Sequence, residues 1–280
     1  MNSPLNEPID RLGFGCVAIT TLPNRKAVGR LLDLVFDLGI RHFDTAPVYG
    51  RGYSEMLLGE FLRGRRAKVS VATKFGLWPA APPTLPTWLA LPLNAARRRL
   101  RRRQVVRQAN RLETYAVAGP LINRSAVAAS FDASRRALGT DYVDLFLLHE
   151  ALPARLGLGA FDYLQRMKES GAIRQIGLAA DGRSYLALET SEVGGWDVLQ
   201  YESGPAWPET SGLPDRFPAQ THIFHSCLRG MSDVGAPGRV LAERLAANPS
   251  GKVLFSSSNP DHIRSNVAAA SAERSEPCRS

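Results

Sequence analysis

Four polar residues whose types together suit proton chemistry stand beside short apolar runs. Asp44 and Tyr49 lie in RHFDTAPVYG, Lys74 in VSVATKFG and His149 in DYVDLFLLHE. A phenol, with an ordinary pKa of about 10, becomes a usable proton donor at neutral pH when an ammonium lies beside it, because the positive charge favours phenolate. An aspartate would hold that ammonium in place, and a histidine would orient a carbonyl oxygen against the phenol. Each residue ends or follows an apolar run of strand length. Polar groups at the C-terminal ends of different strands are the arrangement of an active site on a parallel β/α barrel.

Such a site needs β/α units to carry it, and the chain has their pattern. Strand-like runs at 13–17, 41–44, 69–73, 143–148, 175–178, 198–200, 222–225 and 253–255 alternate with amphipathic stretches. In KAVGRLLDLVFDL, for example, Leu31, Leu34, Val35 and Leu38 share one helical face. Eight strands suit a closed α/β barrel, which typically takes about 250 residues, so 1–280 reads as a single (β/α)8 TIM barrel domain. A long basic insertion, about 76–123, follows the third strand where an ordinary βα loop has about 2–6 residues.

The motifs GIRHFDTAPVYG, ATKFG and LGTDYVDLFLLH occur in that order and are followed by GAIRQIGLA, DVLQYE and SNPDHIRSN. With them the chain resembles the aldo-keto reductase family over about residues 11–270. The resemblance implies hydride transfer between a nicotinamide and a carbonyl or alcohol carbon. It makes Tyr49 the general acid or base, Lys74 the residue that lowers its pKa, Asp44 the partner of Lys74, and His149 the substrate-orienting group. It also implies a cofactor site. Gln200 matches a glutamine that contacts the nicotinamide carboxamide. His225 stands where an aromatic ring stacks on the nicotinamide, although a core histidine with a backbone hydrogen bond is an equal reading. Ser226, Leu228 and Gly230 resemble a loop against the pyrophosphate. Ser256, Ser257 and His262 fall at the adenine-ribose end, Arg264 within reach of a 2′-phosphate, and Asn266 at an adenine position. NADP is therefore expected, with NAD the alternative.

The chain departs from the family pattern after the fifth strand, where Ala179 and Ala180 replace a common Ser-Asn pair. That departure supports a competing reading, a nucleotide-binding barrel acting as a non-catalytic regulatory or scaffolding subunit. A GxGxxG fingerprint is absent, which argues against a Rossmann-type site. Three scattered cysteines form no CxxC or Cys/His cluster, so no metal site is expected and a reducing, cytoplasmic setting is. No run approaches the about 18 apolar residues of a membrane span.

The formal charge of +9 is localised: residues 97–111 hold eight arginines and no acidic residue, leaving 9 − 8 = +1 elsewhere. The preceding WPAAPPTLPTWLALP has five prolines, so no regular helix is expected before Leu93. In the run itself Leu93, Ala96 and Leu100 lie about 150° from Val105, Ala109 and Leu112, which predicts a break near Arg103 or two short helices. The run reads as a solvated basic lid, or as recognition of an acidic or phosphorylated substrate. Nucleic acid is not expected, because no stacking aromatic lies between Ala95 and Thr114; nor is a membrane, because the apolar stripe is offset. The expected partner is a small-molecule carbonyl or alcohol.

Overall fold

The computed structural model describes residues 8–78, 85–101, 120–229 and 237–272. Its strands are β1 Leu12–Gly15, β2 His42–Asp44, β3 Ser70–Phe75, β4 Val143–His149, β5 Ile173–Ala179, β6 Val198–Glu202, β7 Thr221–His225 and β8 Lys252–Phe255. All neighbours pair in parallel and in chain order. β1 returns to β8 through Gly13 opposite Leu254, closing the barrel. The helices are α1 Pro8–Arg11, α2 Arg25–Asp37, α3 Tyr53–Leu62, α4 Thr87–Arg101, α5 Arg124–Leu138 and α6 Ala160–Glu169. The remainder are α7 Gly182–Leu186, α8 Thr190–Val193, α9 Leu213–Arg216, α10 Pro237–Ala246 and α11 Pro260–Ala272.

Most strand positions are buried because helices cover the strands outside and side chains fill the barrel inside. All seven residues of β4 are buried. The pleat splits this burial into two cores. Ala72, Leu145, Leu147, Ala179, Val198, Ile223 and Leu254 form a cluster of their own, while Phe43, Val71, Phe75, Phe146, Leu148 and Leu199 join the larger cluster with the helices. Side chains two residues apart share a strand face. Lys74, His149, Gln200 and His225 therefore stand one step above Ala72, Leu147, Val198 and Ile223, on the same face as that plug.

At the other end, buried Asp144 ties three elements. Its Oδ2 accepts from Arg66 Nη2 at 2.7 Å and from the Val71 N–H at 2.9 Å, and its Oδ1 accepts from Arg174 Nη1 at 2.8 Å. Conserving this geometry fixes the lower ends of β3, β4 and β5 relative to one another.

Two expectations are corrected. β1 stops at Gly15, and Cys16–Thr21 turns into a 3-10 helix instead of extending the strand to Val17. α4 begins at Thr87, well before Leu93. Pro86 stands just outside it, where its missing N–H is not needed, and its carbonyl accepts from the Leu89 and Ala90 N–H groups. Burial of Ala90 and Leu91 offsets the bond lost at Pro92 inside the helix. Tertiary packing thus overrides local propensity. The expected break near Arg103 lies outside the described residues.

Candidate active site

Tyr49 reaches the barrel mouth on a tight loop between β2 and α3. Gly50, Arg51 and Gly52 all have positive φ, at 57°, 61° and 91°. Gly50 has a second reason to be glycine, since a Cβ there would meet Thr20 Cγ2 at 2.5 Å. The loop places the phenol beside the lysine. Lys74 Nζ donates to Asp44 Oδ1 at 2.6 Å, to the Thr45 carbonyl at 2.9 Å and to Tyr49 Oη at 3.3 Å. The second carboxylate oxygen of Asp44 accepts from Gln200 Nε2 at 2.8 Å. His149 stands edge-on to the phenol, with ring centroids 6.1 Å apart at 83°.

These residues line a cavity of about 380 Å³, together with Gly15, Val17, Glu150, Ala179, His225, Ser226, Leu228, Arg229 and Ser256. A cavity of this size, apolar below and with a few convergent polar groups, suits a small ligand.

Burial governs the charges. It raises the Tyr49 phenol above its ordinary value, and the lowering pull of Lys74 does not overcome it. Lys74 acts on the phenol in the expected direction, against burial, and the resting phenol is protonated. Burial also opposes the Lys74 ammonium, but the attraction of Asp44 and Tyr49 outweighs it and holds the lysine above its ordinary value. His149 is driven well below the usual imidazole range by burial and then by Lys74, so the ring is neutral. Glu150 is pushed up to about 7, first by burial and then by repulsion from Glu202 and Asp181.

Of the residues expected at a cofactor, Gln200, His225, Ser226, Leu228 and Ser256 line this cavity. Ser257 and His262 line an adjoining groove that shares Val17 and Ser256 with it. Arg264 faces a different groove, with Arg30 and Ser258. Asn266 is buried on α11, and Gly230 lies outside the described residues. Asn259 accepts from the Asp261 N–H through its side-chain oxygen at 2.9 Å, at the start of α11. His225 interacts through Nδ1 with Ser226 Oγ at 3.0 Å and is half-buried.

The residues at the mouth fit a nicotinamide in one specific respect. Gln200 Oε1 is buried without a partner. Because Asp44 can only accept, the amide nitrogen of Gln200 must face it, and Oε1 is left as an acceptor for a donor such as a carboxamide NH₂. The backbone N–H of Ala180 is already used, by the Gln200 carbonyl and Tyr185 Oη, so the Ala179–Ala180 pair offers no side-chain replacement for Ser-Asn.

Sequence reasoning passed over Glu150, the Thr45 carbonyl, Val17 and Arg229. Glu150 had a signal, since it directly follows His149 at a strand end. The Thr45 carbonyl had none, because a backbone acceptor carries no residue signature.

Fold and cavity together define a closed (β/α)8 barrel with a lysine-supported phenol at its mouth. The Aldo/keto reductase family model matches residues 11–206, and the chain belongs to that family. A D-threo-aldose 1-dehydrogenase of Pseudomonas sp is 29% identical over 187 residues, 61% of this chain and 50% of the relative. The aldo-keto reductase yakc [NADP(+)] of Schizosaccharomyces pombe is 26% identical over 182 residues, 62% of this chain and 43% of the relative. The chain thus spans about half the length of the curated relatives it matches. Among solved structures, the holo form of aldo-keto reductase AKR11C1 from Bacillus halodurans superposes with a TM-score of 0.62 at 18% identity, covering 94% of this chain and 87% of that one. An aldo/keto reductase from Brucella melitensis does so with a TM-score of 0.60 at 20% identity, covering 91% and 87%. At these identities the structural matches speak for the fold.

Proposed function

We propose that this protein is an NAD(P)H-dependent oxidoreductase that interconverts a small carbonyl compound and its alcohol, with Tyr49 as the proton donor and acceptor. The observation that carries this reading is the position of Lys74 Nζ, held by Asp44 at 2.6 Å and facing Tyr49 Oη at 3.3 Å. A bound nicotinamide cofactor would supply or take up the hydride, and the chain's residues handle the proton and the geometry.

In the resting site the phenol is protonated, which is the form needed to donate to a developing alkoxide. The Lys74 ammonium acts as that proton leaves: it stabilises the phenolate being formed, and Asp44 keeps it charged and aimed. Neutral His149 orients the substrate oxygen without competing for the proton. Gln200 would hold the carboxamide end of the cofactor, and His225 and Ser226 would lie along it. NADP is the preferred form in this reading, in keeping with the name of the fission-yeast relative. Aldoses belong in the first substrate panel because another relative is named for them.

A second reading is a nucleotide-binding barrel that regulates or scaffolds, favoured by Ala179 and Ala180. Titration with NADPH and NADH, followed by tryptophan fluorescence, separates the two when joined to a turnover assay on aldehydes, ketones and aldoses. Saturable binding with turnover supports the enzyme, and saturable binding with no turnover on any of them supports the scaffold. Tyr49→Phe is expected to lower turnover by about 10²-fold or more with cofactor affinity nearly unchanged. Equal turnover in the variant removes Tyr49 from the role.

A further inference from the structure

His149 and Glu150 stand between two cavities. One is the cavity of Tyr49 and Lys74, and the other, of about 330 Å³, lies beside it. Leu77 and Trp78 wall the second after β3, Ala151 after β4, and Leu121, Ile122 and Ala126 at the entry to α5. A nicotinamide held at Gln200 takes up the first cavity, so a carbonyl compound that meets Tyr49 and His149 carries its body into the second. This assignment of the two cavities rests on the proposed oxidoreductase activity.

Two charged side chains share the walls of the second cavity, and Arg229 lines the first and not the second. Arg155 is engaged, its Nη2 donating to the Pro120 carbonyl at 3.0 Å. Glu150 is not: among the described residues its carboxylate makes no hydrogen bond or ion pair. Its backbone is fixed by a left-handed turn, with φ of 49°, and by an N–H that donates to the Ala179 carbonyl at 2.7 Å. Strained conformations of this kind gather at functional sites. A half-buried carboxylate without a partner costs stability unless a ligand meets it. Burial, Glu202 and Asp181 all oppose its charge, and Lys74, which favours it, is already bound to Asp44. A cationic group relieves that cost, whereas a carboxylate or phosphate meets like charge. Trp78 suits the same group, since ammonium ions are attracted to an indole face.

We propose that Glu150 makes the site selective for carbonyl compounds, and their alcohols, that carry a positive charge on an apolar body. The carboxylate meets the charge, Trp78 and the neighbouring leucines pack on the body, and Tyr49 and His149 take the oxygen. Because Glu150 must be ionised, the selectivity is full above about 7 and fades as pH falls below it. The other titratable groups around it do not share that window. His149 and His225 lie below the ordinary imidazole value, and Lys74 and Tyr49 lie above their own.

The test compares three benzyl alcohols that differ in the para group: trimethylammonio, its neutral isostere tert-butyl, and carboxylate. Their binding to the full chain with NADPH, a combination that cannot react, is read by calorimetry, and reduction of the matching aldehydes is assayed with NADPH. At about pH 8 the trimethylammonio compound is expected to bind about tenfold tighter than the tert-butyl one, with the carboxylate weakest. The ratio should shrink between about pH 8 and about pH 6 and collapse to about one in Glu150→Gln. Should that variant fold poorly, the pH series and the three para groups in the unaltered protein decide. Equal binding of the two isosteres at about pH 8 overturns the proposal, as does a ratio that ignores pH or survives in a well-folded variant. Reduction of the aldehydes with no charge preference leaves the oxidoreductase reading standing and removes the role of Glu150. A Glu150-dependent preference in binding without any reduction does the reverse.

Discussion

Glu150 shows how much a single residue's chemistry depends on its neighbours. It lies at the cavity mouth with φ of 49°, and its carboxyl is raised from 4.5 to about 7 by burial, Glu202 and Asp181, with Lys74 pulling the other way. Between those two values the folded state binds more protons than the unfolded state, so stability falls as pH rises through the window. The contribution is fully present below about 4.5 and gone above about 7. We expect Glu150→Gln to exceed the unaltered protein above that window by about 2 kcal/mol, and to flatten the pH dependence of urea unfolding. Identical profiles would show that Glu150 titrates normally. Asp44, Lys74 and His149 were legible in the sequence because each ends an apolar strand-length run, and Tyr49 because it closes the loop after one. The character of Glu150 was not, since it comes from carboxylates on other β/α units. The rise that burial imposes on the Tyr49 phenol was not legible for the same reason: a neighbouring charge can be inferred from a motif, but the cost of removing water cannot.

Elements were legible where periodicity and burial agree. All eight strands stand where apolar runs predicted them, because a doubly covered strand has no polar face to blur its signal. Agreement failed where the chain leaves a strand or where packing outweighs propensity, as at Cys16–Thr21 and at α4. Helix pairs depend on close approach. A Cβ on Gly59 of α3 would lie 2.4 Å from the Ala137 carbonyl oxygen and 2.9 Å from Leu138 Cα of α5. Backbone atoms cannot rotate away, so Gly59→Ala is expected to cost about 1–3 kcal/mol despite its better helix propensity. A lower thermal midpoint would register this; an unchanged one would mean that α3 and α5 part easily. Asp144→Asn should also destabilise the fold, by about 2 kcal/mol, since it leaves the Arg66 guanidinium mostly buried without its anion. Calorimetry of the variant tests this, and full stability would deny the lower tie its structural role.

At the scale of the whole molecule, the insertion is the least legible part. Its arginines were plain in the composition, but no local pattern said that the segment before them would be a helix buried on one side and apolar on the other. The single-domain reading of 1–280 remains our proposal; among the described residues the barrel is closed. Closure itself has a consequence in time. β1 completes its pairing with β8 only through Lys252–Phe255, near the other end of the chain. During synthesis the sheet is therefore an open curl with bare hydrogen-bonding groups along both flanks until the last strand has emerged, and such flanks invite pairing between nascent chains. A chain stopped just before Lys252 should partition into the insoluble fraction on expression while the full chain stays soluble. The eighth strand would then act as the fastener that protects the protein from its own copies.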